Sequence, residues 1–297
     1  MWVISAIDPH RLSESHLGWS RSGVFLDTVT ILNDCAYVGY EIAEELRIRG
    51  YEVLYLPRKR DLYSKTLGVL VNVLRSKGIL HVNYALQDAY LAGKLKGSFL
   101  LHAHGSDLRW SIAGRWGWVV RTSLKIASKV IVATPDLLDT AREYRADAEY
   151  FPNPVDTERF IPQSRERASP KGVLYFPKWY ETLPEELARE LHKAGFVLSI
   201  PAERVKYDDM PRFLSVHDLF IDRFTIPAFS KTCIEAMSCG IPTIDYRHRA
   251  NFAERVSSLA ANDVYARESK LARDYALENH DRRKVVDRLV RIYAEIK

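Results

Sequence analysis

Short apolar runs alternate with helix-periodic stretches along most of this chain of 297 residues. The first unit sets the pattern. Residues 28–32 form an apolar run, Ile42, Leu46 and Arg49 recur at helical spacing across 38–49, Gly50 stops that helix, and 51–56 is apolar again. A βαβ unit is the reading. The alternation continues with helices predicted over 62–76, 87–95, 110–127 and 135–143, and strands over 79–83, 98–102, 129–133 and 149–151. It breaks at 151–172, which holds four prolines and a charged, Ser-containing tract. It then restarts with strands at 173–176, 196–200, 218–221 and 243–245 and helices at 184–194, 207–215 and 231–239. From 266 the tail reads as helix, with Val285, Leu289, Ile292 and Ile296 on one face, predicted to pack back across a domain junction. Strands separated by helices mean mostly parallel sheets covered on both faces. The expected organisation is an N-terminal extension (1–27), an α/β domain (28–162), a linker (163–170) and a smaller α/β domain (171–297).

Composition narrows the function classes. A chain 47% hydrophobic and 27% charged is globular, and its net charge of +5 is spread among acidic residues. That balance suits an anionic small ligand or an anionic membrane surface better than a dedicated nucleic-acid binder. Cys35, Cys233 and Cys239 lack metal-type spacing and read as reduced thiols, which with the absence of a long apolar run points to a cytoplasmic protein. Walker A and GxGxxG patterns are absent, which disfavours kinases, GTPases and ordinary dinucleotide oxidoreductases.

Ligands of open parallel sheets bind beyond the carboxyl ends of the strands, so the loops there are where chemistry is expected. Three stand out. In the first, Asn33, Tyr37 and Gly39 fit a tight strand-to-helix turn that lets backbone approach a ligand, although turn chemistry alone also accounts for them. The second is HAHGSDLR, from His102 to Arg109. Its two His share one face of a strand, but no third metal ligand is near, so His104 and Asp107 read as hydrogen-bonding groups at a pocket mouth and are the catalytic candidates. The third is FTIPAFSKTCIEAMSCGIPTIDY, from Phe224 to Tyr246. Ser230 is a good N-cap, Gly240 a good helix stop, and the N–H groups of Phe229, Ser230 and Lys231 make a helix mouth suited to an anion. Glu235 lies one turn further on, placed either for ribose hydroxyls or to pair with Lys231 at i,i+4. Arg223, Lys231 and Lys178 are the cations placed to neutralise a diphosphate, and each also reads as a solvated surface charge.

Three strings, HAHGSDLR, FPNPVDTERF (Phe151 to Phe160) and IEAMSCGIPTI, together resemble the GT-B glycosyltransferases, in particular the retaining, nucleotide-sugar-dependent family 4. The resemblance runs from Thr28 to the C-terminus. It implies two Rossmann-like domains with parallel sheets facing a cleft. The activity implied is metal-independent hexosyl transfer from a nucleoside diphosphate sugar to a hydroxyl acceptor, with no cofactor. It assigns Glu235 to the donor ribose, Phe229, Ser230 and Lys231 to the diphosphate and sugar, and His104 to the transferred sugar. Pro227 stands where the family has its first acidic residue, so the carboxylate over the donor sugar is either missing or supplied by Asp222, and Lys178 is what remains of its usual basic pair. Carbohydrate or lipid-linked acceptors and a peripheral membrane contact are compatible with the basic, partly amphipathic surface. The competing readings are a non-catalytic sugar-nucleotide binding protein and a nucleotide-sugar epimerase.

Overall fold

The structure, a computed structural model, describes residues 27–58, 61–163, 171–177 and 180–296. The extension (apart from Asp27), almost all of the expected linker, and Lys178 lie outside the described residues. The first half runs β1 (Thr28–Leu32), α1 (Val38–Ile48), β2 (Glu52–Leu56), α2 (Leu62–Lys65), α3 (Leu67–Arg75), β3 (Ile79–Asn83) and α4 (Gln87–Leu95). It continues through β4 (Leu100–Ala103), α5 (Ser106–Arg109), α6 (Gly117–Ile126), β5 (Lys129–Val132), α7 (Leu138–Arg142) and β6 (Glu149–Tyr150). The six strands form one parallel sheet in the order β2-β1-β3-β4-β5-β6.

Period-two alternation divides the strand residues between two cores. Leu32, Leu80, Val82, Leu101, Val130 and Val132 pack against α3, α4 and α6. Val29, Ile31, Ile79, Leu100 and Ile131 face the other way, against Val38, Ile42 and Leu46 of α1.

The second half comprises β7 (Lys171–Tyr175), α8 (Glu185–Lys193), β8 (Phe196–Ser199), α9 (Met210–Ser215), β9 (Leu219–Ile221), α10 (Lys231–Ser238), β10 (Thr243–Ile244), α11 (Phe252–Ala260), α12 (Asn262–Asn279) and α13 (Arg282–Glu295). Its four strands are parallel, in the order β10-β9-β7-β8. The last helix crosses back: Val285, Val286, Leu289, Ile292 and Tyr293 of α13 complete the core under the first sheet.

Three stretches expected as single helices are interrupted, each for a local reason. In the tail, Val155 donates its N–H to the His280 carbonyl and accepts from Arg282 N–H, so a strand-like bridge replaces one helical turn. Asp281 then restarts the helix by accepting from Arg283 and Lys284 N–H. The 62–76 stretch breaks at Thr66, whose φ of −126° and ψ of −100° are not helical. The 110–127 stretch becomes a short 3-10 turn and then α6, because Gly114 and Gly117 close a turn between them. Helix α11 has no counterpart in the pattern reading.

Candidate functional site

The first rim is built at the carboxyl ends of β1, β3 and β4. Asn33 follows β1 in the left-handed region, φ 62°, and Tyr37 does the same before α1, φ 64°. Between them the Asp34 carboxylate accepts from the N–H groups of Cys35 (2.7 Å) and Gly39 (2.6 Å) and from the Tyr55 hydroxyl (2.7 Å). Burial raises the pKa of Asp34 in spite of these donors. Gly39 is dictated by space: a Cβ there would lie 2.9 Å from Asp34 Oδ1 and 3.1 Å from Asn83 Nδ2.

Asn83, which sequence reasoning passed over, ties the first two predicted loops together. Its Nδ2 donates to the Asn33 carbonyl at 3.1 Å, so its Oδ1 faces His104 Nε2 at 2.7 Å. That orientation requires a proton on Nε2 and leaves Nδ1 of His104 as an acceptor. Burial and the neighbouring His81 push the His104 pKa down to about 3, so the ring is neutral. Beneath it His102 packs at 4.1 Å between ring centres, and His81 bridges His102 Nδ1 (3.3 Å) and the Tyr293 hydroxyl (2.7 Å). Among the described residues no group of three His, Cys, Asp or Glu is arranged to hold a metal ion. Asp107 is fully buried, and its carboxylate accepts from the N–H groups of Ala85, Gly105 and Leu108. It fixes the shape of the loop that carries His104.

The second rim is the segment from Asp222 to α10. Ser230 caps α10, its hydroxyl accepting from Cys233 N–H at 3.1 Å. The buried Asp222 carboxylate also sits at the helix mouth, where Oδ2 accepts from Ser230 N–H at 2.8 Å and Oδ1 accepts no hydrogen bond among the described residues. Arg223 folds over the loop and donates to the carbonyls of Ala228 (3.0 Å) and Phe229 (3.2 Å). The Phe229 ring lies against Tyr246 and Tyr275, with Arg247 over its face at 4.8 Å.

One turn into α10, Glu235 is buried with Lys231, Nζ to Oε1 2.7 Å, the side chains 5% and 3% exposed. Burial raises the Glu235 pKa against the pull of that lysine. Both groups belong to a network that joins the domains. The Tyr207 hydroxyl, 3.4 Å from Lys231 Nζ, donates to Glu41 Oε1 at 2.5 Å, and Arg282 holds the other Glu41 oxygen at 3.0 Å. The Tyr207 ring stacks on Tyr37, centroids 4.0 Å apart and planes 9° from parallel. Tyr37, Lys231 and Glu235 are thus brought together by Tyr207, a residue that the pattern placed only in a helix. A tyrosine at a helix start carries no sequence signal of its own; the signal that could have found this network is Glu41, a carboxylate buried on the apolar face of α1, which sequence reasoning also passed over.

Two cavities bear on the site, and one of them lies at this junction. One of about 60 Å³, lined by Thr134, Pro135 and Tyr150 of the first domain and Pro227, Ala228 and Phe229 of the second, is far below the roughly 300 Å³ of small ligand sites. The other, about 310 Å³, is lined by Tyr180, Glu181, Phe224, Thr225, Arg249 and Phe252 and includes none of the predicted site residues. At the α10 mouth the two domains are closed on one another.

No protein-family profile matches the sequence, and no curated protein is similar to it. Solved structures are similar in fold. A sucrose-phosphate synthase from Thermosynechococcus elongatus aligns over 91% of this chain and 99% of its own at 12% identity, TM-score 0.62. AviGT4, a glycosyltransferase involved in avilamycin A biosynthesis, aligns over 91% and 97% at 14% identity, TM-score 0.61. A UDP-N-acetylglucosamine 2-epimerase aligns over 89% and 94% at 12% identity, TM-score 0.56. The chain has the two-domain GT-B fold of the glycosyltransferases, a fold that the epimerase shares.

Proposed function

We propose that the chain transfers a hexosyl group from a nucleoside diphosphate sugar to a hydroxyl acceptor, without a metal and with retention at the anomeric carbon. What supports this reading is that the His104 loop and the segment leading into the capped helix α10 each follow the carboxyl end of a parallel strand, with the Tyr37–Tyr207 stack joining the two domains between Lys231 and the loop after β1. In this reading the domains part at the Tyr37–Tyr207 stack to admit the donor. Glu235 then takes the ribose hydroxyls, and Lys231, released from it, joins Arg223, Lys178 and the N–H groups of Phe229 and Ser230 around the diphosphate. Neutral His104, held in place by Asn83, accepts a hydrogen bond from a sugar hydroxyl at Nδ1, while Asp107 positions its loop. Asn33, Tyr37 and Gly39 shape the acceptor side. Catalysis is stabilisation of charge developing on the departing diphosphate, whose oxygen takes the acceptor proton as the hydroxyl attacks the same face.

A second reading, a sugar-nucleotide binding protein without turnover, draws on two features. Pro227 stands in place of a carboxylate, and the Asp222 carboxylate already holds the Ser230 N–H that a phosphate would take. One experiment separates the readings. Thermal-shift screening of nucleoside diphosphate sugars, followed by turnover with wild type, His104→Ala and Glu235→Gln, is expected to show stabilisation by one donor, lost turnover in the first variant and weakened binding in the second. Stabilisation without turnover supports the binding protein, and turnover without an acceptor supports an epimerase. No shift with any nucleotide-sugar refutes donor binding.

A further inference from the structure

Basic and acidic residues are interleaved over most of the chain, with one stretch as the exception. Residues 62–127 contain nine Lys and Arg against two acidic residues, Asp88 and Asp107, while the remainder has 34 basic and 36 acidic residues. Both acidic groups of the stretch are buried, Asp88 paired with Arg58 and Asp107 with backbone N–H groups. Asp61, the nearest acidic group before it, caps α2 through Ser64. The outward ionic character of this region is therefore cationic, from Lys65, Arg75, Lys77, Lys94, Lys96 and Arg115, all exposed.

The same stretch holds most of the large apolar side chains left in water among the described residues. In α3, Val69 and Val73 point into the core, while Leu67, Leu70, Val71 and Leu74 form a second stripe at helical spacing that touches solvent, Leu67 65% and Leu74 58% exposed. Leu62 and Tyr63 of α2 extend it at one end. Helix α3 packs beside α4, and α4 beside α6, so the stripe continues to Leu95, Trp116 (55% exposed) and Trp118 (48%). Tyr90 meets Trp118 edge to face at 5.3 Å, and Arg115 lies 5.8 Å over Trp116. A helix apolar on both faces is normally buried on both. Here the outer face is flanked by lysines, arginines and indoles, and among the described residues of 61–127 the one exposed carboxylate is Asp61, at its edge as the N-cap of α2.

We infer that the α2–α3–α4–α6 face of the first domain docks on an anionic lipid bilayer surface, with the leucines and tryptophans at the interface and the lysines and arginines against lipid headgroups. The combination is specific to that partner. Tryptophan belongs at the boundary between hydrocarbon and water, and exposed cations set against one exposed carboxylate, Asp61, match a negatively charged leaflet. A protein partner of ordinary mixed charge would meet unpaired cations around the apolar stripe. Such docking sets the first sheet parallel to the bilayer and leaves α1 and α13, on its opposite face, turned away.

The test is co-sedimentation of the full chain with phosphatidylcholine vesicles, with and without phosphatidylglycerol, alongside tryptophan emission. Binding is expected only with the anionic lipid, with a blue shift and with loss at high salt. Leu67→Glu with Leu74→Glu alters two exposed positions, so the unfolding midpoint stays near wild type while partitioning falls about tenfold or more. Lys65→Gln and Lys94→Gln each lower it about fivefold. Ile48→Glu, exposed on α1 across the sheet, leaves it unchanged. The inference is overturned if the chain ignores anionic vesicles or if the double Leu variant pellets like wild type. It is equally overturned if wild type proves to be a dimer that this variant dissociates, which assigns the face to a second copy.

Discussion

The buried Lys231–Glu235 pair is the sharpest point at which to perturb this protein. Both side chains are almost wholly removed from water, 2.7 Å apart, with Tyr207 as the neighbouring polar group. Neutralising one partner strands the other: Lys231→Met leaves a carboxylate, and Glu235→Gln leaves an ammonium, in an environment that cannot hydrate it. Losses of about 3–5 kcal/mol are characteristic of such half-removed buried pairs, whereas the intact pair gains little over an uncharged replacement. Each single variant should thus fall by roughly 3–5 kcal/mol, on the order of 10 °C in melting temperature for a chain of this size. The Lys231→Met, Glu235→Gln double variant should lose much less than the sum. The assay is urea unfolding of all four proteins as a double-mutant cycle, with a coupling of at least about 2 kcal/mol expected. Strict additivity, or a Glu235→Gln variant as stable as wild type, would refute the idea that this pair is an energetic unit. In that event any loss of donor affinity in Glu235→Gln would report the ribose contact alone.

Further outcomes follow from the same junction and from the rims. Tyr207→Phe removes a hydrogen bond to the Glu41 carboxylate and should cost about 2 kcal/mol, with coupling to Glu41→Gln; equal and additive losses in urea would show that the contact carries nothing. Gly39→Ala places a methyl group 2.9 Å from Asp34 Oδ1 and should destabilise by about 1–3 kcal/mol, read as a lowered melting temperature, because the Asp34–Asn83 contacts must shift. His81, His102 and His280 are buried and have pKa values lowered by desolvation, to about 3 for His81 and about 4 for His280. A depressed histidine pKa means that the unfolded chain binds the proton first. Their contribution is therefore complete above about pH 6.5 and is lost as pH falls toward 3, at up to about 1.4 kcal/mol per pH unit for each ring. Urea midpoints flat between pH 7 and 5 would contradict that assignment.

Much of the architecture was legible because burial on two faces writes itself into the sequence. Parallel strands need apolar runs, and the helices between them need capping and stop residues, so Thr28–Leu32, Ile79–Asn83 and the Ser230-to-Gly240 helix were readable in place. Boundaries failed where a contact distant in sequence outweighs local preference. The break between α12 and α13 exists because Val155 bonds to both sides of it, some 125 residues away, and no property of His280 or Asp281 announces that partner. For the site, residue types were legible and their partners were not. From sequence Glu235 stood open between ribose hydroxyls and an i,i+4 pair with Lys231, and the structure holds the two side chains as a pair.

What the sequence determined by itself is the alternation that yields two parallel sheets, the capped helix bearing Glu235 and the loop bearing His104. Tertiary structure decided the rest. It placed Tyr207 between Tyr37 and Lys231, set the Asp222 carboxylate at the helix mouth, fixed the His104 tautomer through Asn83 and left one stripe of α3 without a cover among the described residues. The physical reason is the same in each case. Periodicity is a property of neighbours along the chain, whereas desolvation, charge pairing and exposure depend on which distant groups arrive at the same place.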